Sequence, residues 1–287
     1  MVNTRSQYQP RMIAAARQVL LELASIFEGE REKIVFVGGT ACALLFPQDT
    51  DPHEGTIDVD IALDPVALAD YEVDTLEERL IFALYQQEPG KKYRWIRNVL
   101  DDGGYTEVRV DLLSGEYEGA ILHTEAREVQ GVHASVLRGL DLAFLDPRLV
   151  PLSGILPDGS AYETEIRVCS PASLLAMKGI AVVSRLQGAD KDAYDIDYIL
   201  RRCDGGPDSL ARILQTDVYW HEGLVQEGLQ GVAQAFGSLN ALGPASIAAP
   251  DRYPDSEGRA IVQQGAFLRV KRLLDSLGIR AGGADRS

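Results

Sequence analysis

The chain has 287 residues, of which 46% are hydrophobic, and carries a formal net charge of −15. That length and apolar fraction allow a sizeable core, in one large domain or two ordinary ones, and the acidity excludes a surface that coats nucleic acid broadly while leaving room for a local basic patch. Three scattered cysteines (Cys42, Cys169, Cys203) make neither a zinc pattern nor a disulfide framework, no stretch reaches a membrane span, and the start MVNTRSQYQPR lacks secretory character, so a cytoplasmic protein with no membrane partner is expected.

Taken in chain order, Pro10 to Phe27 reads as a helix with Ile13, Val19, Leu20, Leu23 and Phe27 on its apolar face. Ile34 to Val37 is a short buried strand that runs into Gly38-Gly39, where the helix GTACALLF begins. A polar loop from Asp51 to Gly55 leads to a strand from Thr56 to Leu63, and a helix carrying Leu68, Leu76, Leu80, Ile81 and Leu84 follows. KYRWIRNVL and TEVRVDLLS are strands joined across Asp101-Asp102-Gly103-Gly104, and short strands with one short helix are expected over residues 119–168. Ser170 then caps a helix with Pro171 at its first position. The remainder reads as helices from Pro171 to Leu186, Lys191 to Arg202, Pro207 to about Leu239 and Ala260 to Leu277, with a loop from Gly243 to Gly258. The expected architecture is α+β over residues 1–168, a mixed sheet with flanking helices, followed by a helical part over residues 169–287.

Chemistry concentrates in two places. Asp58 and Asp60 in TIDVDIAL share one face of a strand, about 7 Å apart along the backbone. Such a pair is tolerated in water or around a shared cation, for which Mg²⁺ is the usual hard partner. Gly38 and Gly39 let the backbone turn tightly, and the following helix start presents free N–H groups on which a triphosphate can rest. The plain alternative is a strand–turn–helix junction beside a solvated acidic strand. Asp111 in VRVDLL lies off the valine face: it is either an ordinary exposed aspartate or the third carboxylate of a site for two divalent ions. The second place is SPASLLAMKGIAVVSRLQGADKDAYDIDYIL, with Lys178 and Arg185 on one helix face and Lys191, Asp192 and Asp195 on the next helix. These residues either form amphipathic helices with an exposed Lys191–Asp195 pair, or clamp a triphosphate with Asp195 orienting the cations. Trp95, between Arg94 and Arg97, is a half-buried strand residue or a base-stacking platform. The run RVKR, Arg269 to Arg272, is a solvated helix face or a contact for nucleic acid or a partner. The four histidines have no ligand-like spacing.

IVFVGGTACALLF…TIDVDIAL resembles the signature of the nucleotidyltransferase superfamily that includes DNA polymerase beta, in which a Gly-Gly or Gly-Ser pair precedes D-x-D and a later strand supplies a third carboxylate. LLAMKGIAVVSRLQGADKDAYDIDYIL resembles the Lys…Arg…Lys-Asp-x-x-Asp-[Leu/Ile] region of the AbiEii/AbiGii toxin family, the nucleotidyltransferase half of type IV toxin–antitoxin and abortive-infection pairs. The resemblance implies a nucleotidyltransferase-like sheet. It implies Gly38, Gly39 and Thr40 at the phosphate loop, Asp58 and Asp60 as metal ligands, and Asp111 as the third carboxylate, helping to activate an acceptor hydroxyl. It likewise implies Lys178 and Arg185 near the triphosphate, and Lys191, Asp192 and Asp195 as the KDxxD motif with Asp195 essential. The implied activity uses Mg²⁺ or Mn²⁺ and an NTP, moves an NMP to a hydroxyl of an RNA such as tRNA or of a protein, releases pyrophosphate, and has a cognate antitoxin as partner. Two alternatives stay open: transfer to a small cationic acceptor such as an aminoglycoside, and a non-catalytic nucleotide- or partner-binding module on the same fold.

Overall fold

A computed structural model describes residues 10–47, 53, 58–68, 75–101, 103–116, 126–185, 188–250 and 253–280. The chain divides into two units between Cys169 and Ser170. The fold class is the expected α+β arrangement, a mixed sheet with flanking helices and then helices to the C-terminal side.

The first unit contains α1 (Pro10–Ile26), β1 (Ile34–Val37), α2 (Gly38–Leu45), β2 (Asp58–Leu63), α3 (Leu76–Phe82), β3 (Gln86–Glu88), β4 (Lys91–Asp101), β5 (Gly104–Ser114), β6 (Ala126–Val129), β7 (Val132–Val136), β8 (Arg148–Ile155) and β9 (Ala161–Val168). Seven strands run in the order β3-β4-β5-β2-β1-β9-β8, and β7, itself paired with β6, attaches beside the end of β5. β2 lies parallel to β5 and antiparallel to β1, while β4 and β5 form the expected hairpin. The alternation of side chains decides what each face does. Val59 and Ile61 of β2 and Val108, Val110 and Leu112 of β5 are buried. Their register with Trp95 and Arg97 of β4 places them on the face that α1 covers, because Glu22 of α1 binds Arg97 at 3.0 Å. The alternate residues, including all three aspartates of interest, point to the other face.

Several expectations change here. Ile13 is exposed, although Val19, Leu20, Leu23 and Phe27 are buried as the period requires. The helix expected to carry Leu68 through Leu84 is confined to Leu76–Phe82. Thr75 Oγ1 accepts a bond from the Glu78 backbone N–H and the Glu78 carboxylate accepts one from the Thr75 N–H, a capping box that starts the helix there. Leu68 is buried in a turn, whereas Ile81 and Leu84 are exposed, Leu84 with φ +66°. Residues 69–74 lie outside the described residues, as do 56–57 at the start of the expected Thr56 strand and most of the loop 51–55.

The second unit contains α4 (Pro171–Ser184), α5 (Ala189–Arg202), α6 (Gly206–Leu214), α7 (Asp217–Trp220), α8 (Gly223–Ala235), α9 (Leu242–Ile247) and α10 (Ser256–Leu277). Ser170 caps α4 as expected, accepting from Ser173 N–H at 3.1 Å, and its buried hydroxyl also meets Tyr219 at 2.7 Å. The single helix expected from Pro207 to Leu239 is three. Local bonds end each piece: Thr216 Oγ1 donates to the Ile213 carbonyl at 2.7 Å, and Gln226 Nε2 donates to the Trp220 carbonyl at 2.8 Å. The expected loop from Gly243 holds α9 at its start, with Pro244 in a first turn where no amide proton is needed. No helix among the described residues is long and apolar enough to cross a membrane.

α4 and α8 pack through glycine. A Cβ on Gly228 would strike the Ala176 backbone, and one on Gly179 or Gly231 would strike the backbone of the facing helix. Gly228→Val is therefore expected to lower unfolding stability by about 2–3 kcal/mol, read as a shifted urea midpoint by helical circular dichroism. A midpoint equal to that of the unsubstituted chain would contradict the backbone contact.

Candidate active site

Asp60 of β2 is the Cα partner of Asp111 of β5, and Asp58 is the partner of Arg109. Paired residues of neighbouring strands share a face, so Asp58, Asp60 and Asp111 lie together on the side of the sheet away from α1. The row continues into β4, where Arg94 is the partner of Asp111. Its Nε donates to Oδ1 at 2.6 Å and its Nη2 to Oδ2 at 2.7 Å, a two-pronged pair with both side chains largely shielded. The Asp111 hydrogen bonds and charge, helped by Asp58, outweigh partial burial and hold the Arg94 guanidinium above its usual pKa. Arg94 Nη1 also lies 3.5 Å from Oε2 of Glu88.

β1 delivers the chain to this face. Val37 is extended, and Gly38 then takes φ +70°, a left-handed conformation that glycine adopts without cost. A Cβ there would collide with the Asp60 carboxylate at Oδ2, so that oxygen occupies the room a side chain at position 38 would take. Gly39 follows in the first turn of α2, whose leading amides have no partner within the helix. Thr40, expected at the phosphate, donates its hydroxyl to the Asp58 backbone carbonyl at 3.0 Å and so ties α2 to β2. Three carboxylates from adjacent strand positions are a hard-oxygen set of the kind that suits Mg²⁺ or Mn²⁺.

In the second unit, α4 and α5 bring Lys178, Arg185, Asp192 and Asp195 together. Lys178 Nζ lies 2.9 Å from Asp192 Oδ1 and 2.6 Å from Asp195 Oδ2, and Arg185 Nη1 lies 3.4 Å from Asp192 Oδ2. Burial alone would push the Lys178 pKa down, but the two carboxylates outweigh it and hold the ammonium well above the usual lysine range. Asp195 thus meets Lys178 from the preceding helix, while Lys191 is exposed on α5. The register of Gly179 against α8, immediately after Lys178, fixes where that lysine emerges.

The remaining residues resolve simply. Trp95 is 2% exposed and belongs to the core under α1, which removes the base-stacking reading. The basic run of α10 is engaged within its own unit: Arg269 binds Asp197 at 2.7 Å, Lys271 binds Asp275 at 2.6 Å, and Arg272 binds Asp208. Arg94 and Glu88 join the acid row although no motif marks either of them. The signal for Arg94 lay in the hairpin itself, because it and Asp111 are equally far from the Asp101–Gly104 turn.

The sequence model for a family described as "Nucleotidyl transferase AbiEii toxin, Type IV TA system" matches residues 21–254. Comparison with curated proteins and with solved structures returns no match.

Two substitutions test this geometry. Gly38→Ala combines left-handed strain with a collision at Asp60, and is expected to cost about 1–3 kcal/mol in stability. A crystal structure of the variant should show the Asp60 carboxylate displaced; an unmoved carboxylate would refute its close approach to position 38. Lys178→Met leaves Asp192 and Asp195 without their shared cation and is expected to cost about 3–5 kcal/mol. Urea unfolding measures this loss, and a change below about 1 kcal/mol would show that the lysine does not hold the two acids.

Proposed function

The chain belongs to the AbiEii nucleotidyl transferase toxin family of type IV toxin–antitoxin systems, and on that premise we propose that its carboxylate row transfers an NMP from an NTP to a hydroxyl acceptor with a divalent cation. The observation that carries this reading is the placement of Asp60 opposite Asp111, with Asp58 on the same face and the glycine start of α2 beside them.

Asp58, Asp60 and Asp111 are the residues that would hold Mg²⁺ or Mn²⁺. The bound cation would supply positive charge to the α-phosphate and make the attacking hydroxyl more acidic. In the reaction, the acceptor oxygen bonds to the α-phosphorus as the bond from that phosphorus to the α–β bridging oxygen breaks, and pyrophosphate leaves with the electron pair. A carboxylate oxygen of Asp111 takes the hydroxyl proton. The first-turn amides of Gly38, Gly39 and Thr40 receive phosphate oxygens, the role suited to a helix N-terminus. Within the second unit, Lys178, Arg185 and Lys191 are the cations whose chemistry suits phosphate charge. Two of the three Lys178 donors already engage Asp192 and Asp195, and these acids keep the ammonium charged and fixed in place. The acceptor is a hydroxyl of an RNA such as tRNA or of a protein, and the cognate partner is an antitoxin. The net charge of −15 supports, as a second reading, a small cationic acceptor.

The test incubates the protein with Mg²⁺ and each α-³²P-labelled NTP in the presence of total tRNA, protein extract or aminoglycosides, beside an Asp58→Ala/Asp60→Ala variant. Label is expected in RNA or protein and should fall by roughly 10²-fold or more in the variant. Label confined to the aminoglycoside selects the second reading, and no label in any combination rejects the transferase.

A further inference from the structure

Arg94 holds both oxygens of the one carboxylate that the acid row draws from β5. It also has a second anionic neighbour. Glu88 on the edge strand β3 turns Oε2 toward Arg94 Nη1 at 3.5 Å, while its Oε1 is bonded to Lys91 at 3.2 Å. The side chains of Arg94, Asp111 and Glu88 are 17%, 13% and 23% exposed, so none of these charges is freely solvated.

We propose that Arg94 is a positioning residue that stands in for the divalent cation at Asp111 and exchanges with it, its guanidinium passing to Glu88 when the cation arrives. This rests on the metal-dependent reading above. Without a cation, three carboxylates on one face repel one another, and the guanidinium beside Asp111 relieves that repulsion. With a cation, the same guanidinium is a like charge at close range and occupies oxygen lone pairs that the ion needs. A shielded arginine displaced from its carboxylate is costly unless another takes it. Glu88 is that second carboxylate, on the strand paired with β4 and already within 3.5 Å. A strut that merely braces Asp111 makes the opposite prediction, since removing it would loosen a ligand and weaken binding of the ion.

The experiment titrates the full chain with Mn²⁺ alone, by calorimetry and by the loss of free-ion signal in electron paramagnetic resonance. Arg94→Gln is expected to bind Mn²⁺ roughly fivefold more tightly than the unsubstituted chain. Arg94→Lys, which keeps the charge, should stay within about twofold. Glu88→Gln, which removes the second holder, should bind roughly threefold more weakly. Equal or weaker binding by Arg94→Gln overturns the exchange while leaving the metal-dependent reading intact. Should Arg94→Gln fail to fold by circular dichroism, Glu88→Gln decides, and unchanged or tighter binding there overturns the exchange. Absence of Mn²⁺ binding by the unsubstituted chain refutes the metal-dependent reading, and the exchange with it.

Discussion

Two carboxylates placed directly opposite one another on adjacent strands repel, and a third one pleat away adds to the repulsion. In this protein that arrangement is enforced by the core. Slipping β2 against β5 by one residue would turn Asp58 and Asp60 under α1 and expose Val59 and Ile61, so apolar burial holds the acids in register. Much of the neighbouring structure answers the same constraint. Arg94 forks onto Asp111, Thr40 braces the Asp58 backbone, and only a glycine fits at position 38, where the chain turns past Asp60.

The same electrostatic demand recurs wherever a carboxylate leaves water. Among the described residues the buried acids are Glu30, Asp192, Asp195 and Asp197, and each faces a cation: Arg79 for the first, Lys178 for the next two, and Arg201 with Arg269 for the last. A chain with a net charge of −15 therefore uses its scarcer basic residues as structural counter-ions. The α10 run that reads as an open basic face in the sequence is one such case: Arg269 binds α10 to α5 through Asp197, and Arg272 binds Asp208 in α6. Small residues perform the complementary task in the helical unit, where glycines on α4 and α8 let backbones touch and so fix the emergence of Lys178.

Local chemistry made much of this readable in advance. The strand–glycine–helix junction at Gly38, the hairpin across Asp101–Gly104 and the Ser170 cap follow from turn and capping rules acting over a few residues. The errors have equally local causes that apolar periodicity does not register. A capping box at Thr75 shortened α3, and side-chain bonds at Thr216 and Gln226 divided a long apolar pattern into separate helices. For the candidate site, residue types and spacing identified the aspartates and the lysine. They did not identify the contacts, because a charged residue reads the same whether it meets solvent, a ligand or another charge.

The sequence by itself determined that Asp58 and Asp60 share a face, that glycine precedes a helix, and that Lys178, Asp192 and Asp195 lie on consecutive helices, since strand and helix periods depend only on neighbours in the chain. The tertiary structure decided that Asp111 stands beside Asp60, that Arg94 and Glu88 join that row, and that Lys178 lies between two buried acids. Strand order and helix packing make those choices. They arise from burying apolar faces of segments far apart in sequence, and the spacing of residues within any one segment does not encode which neighbour it will meet.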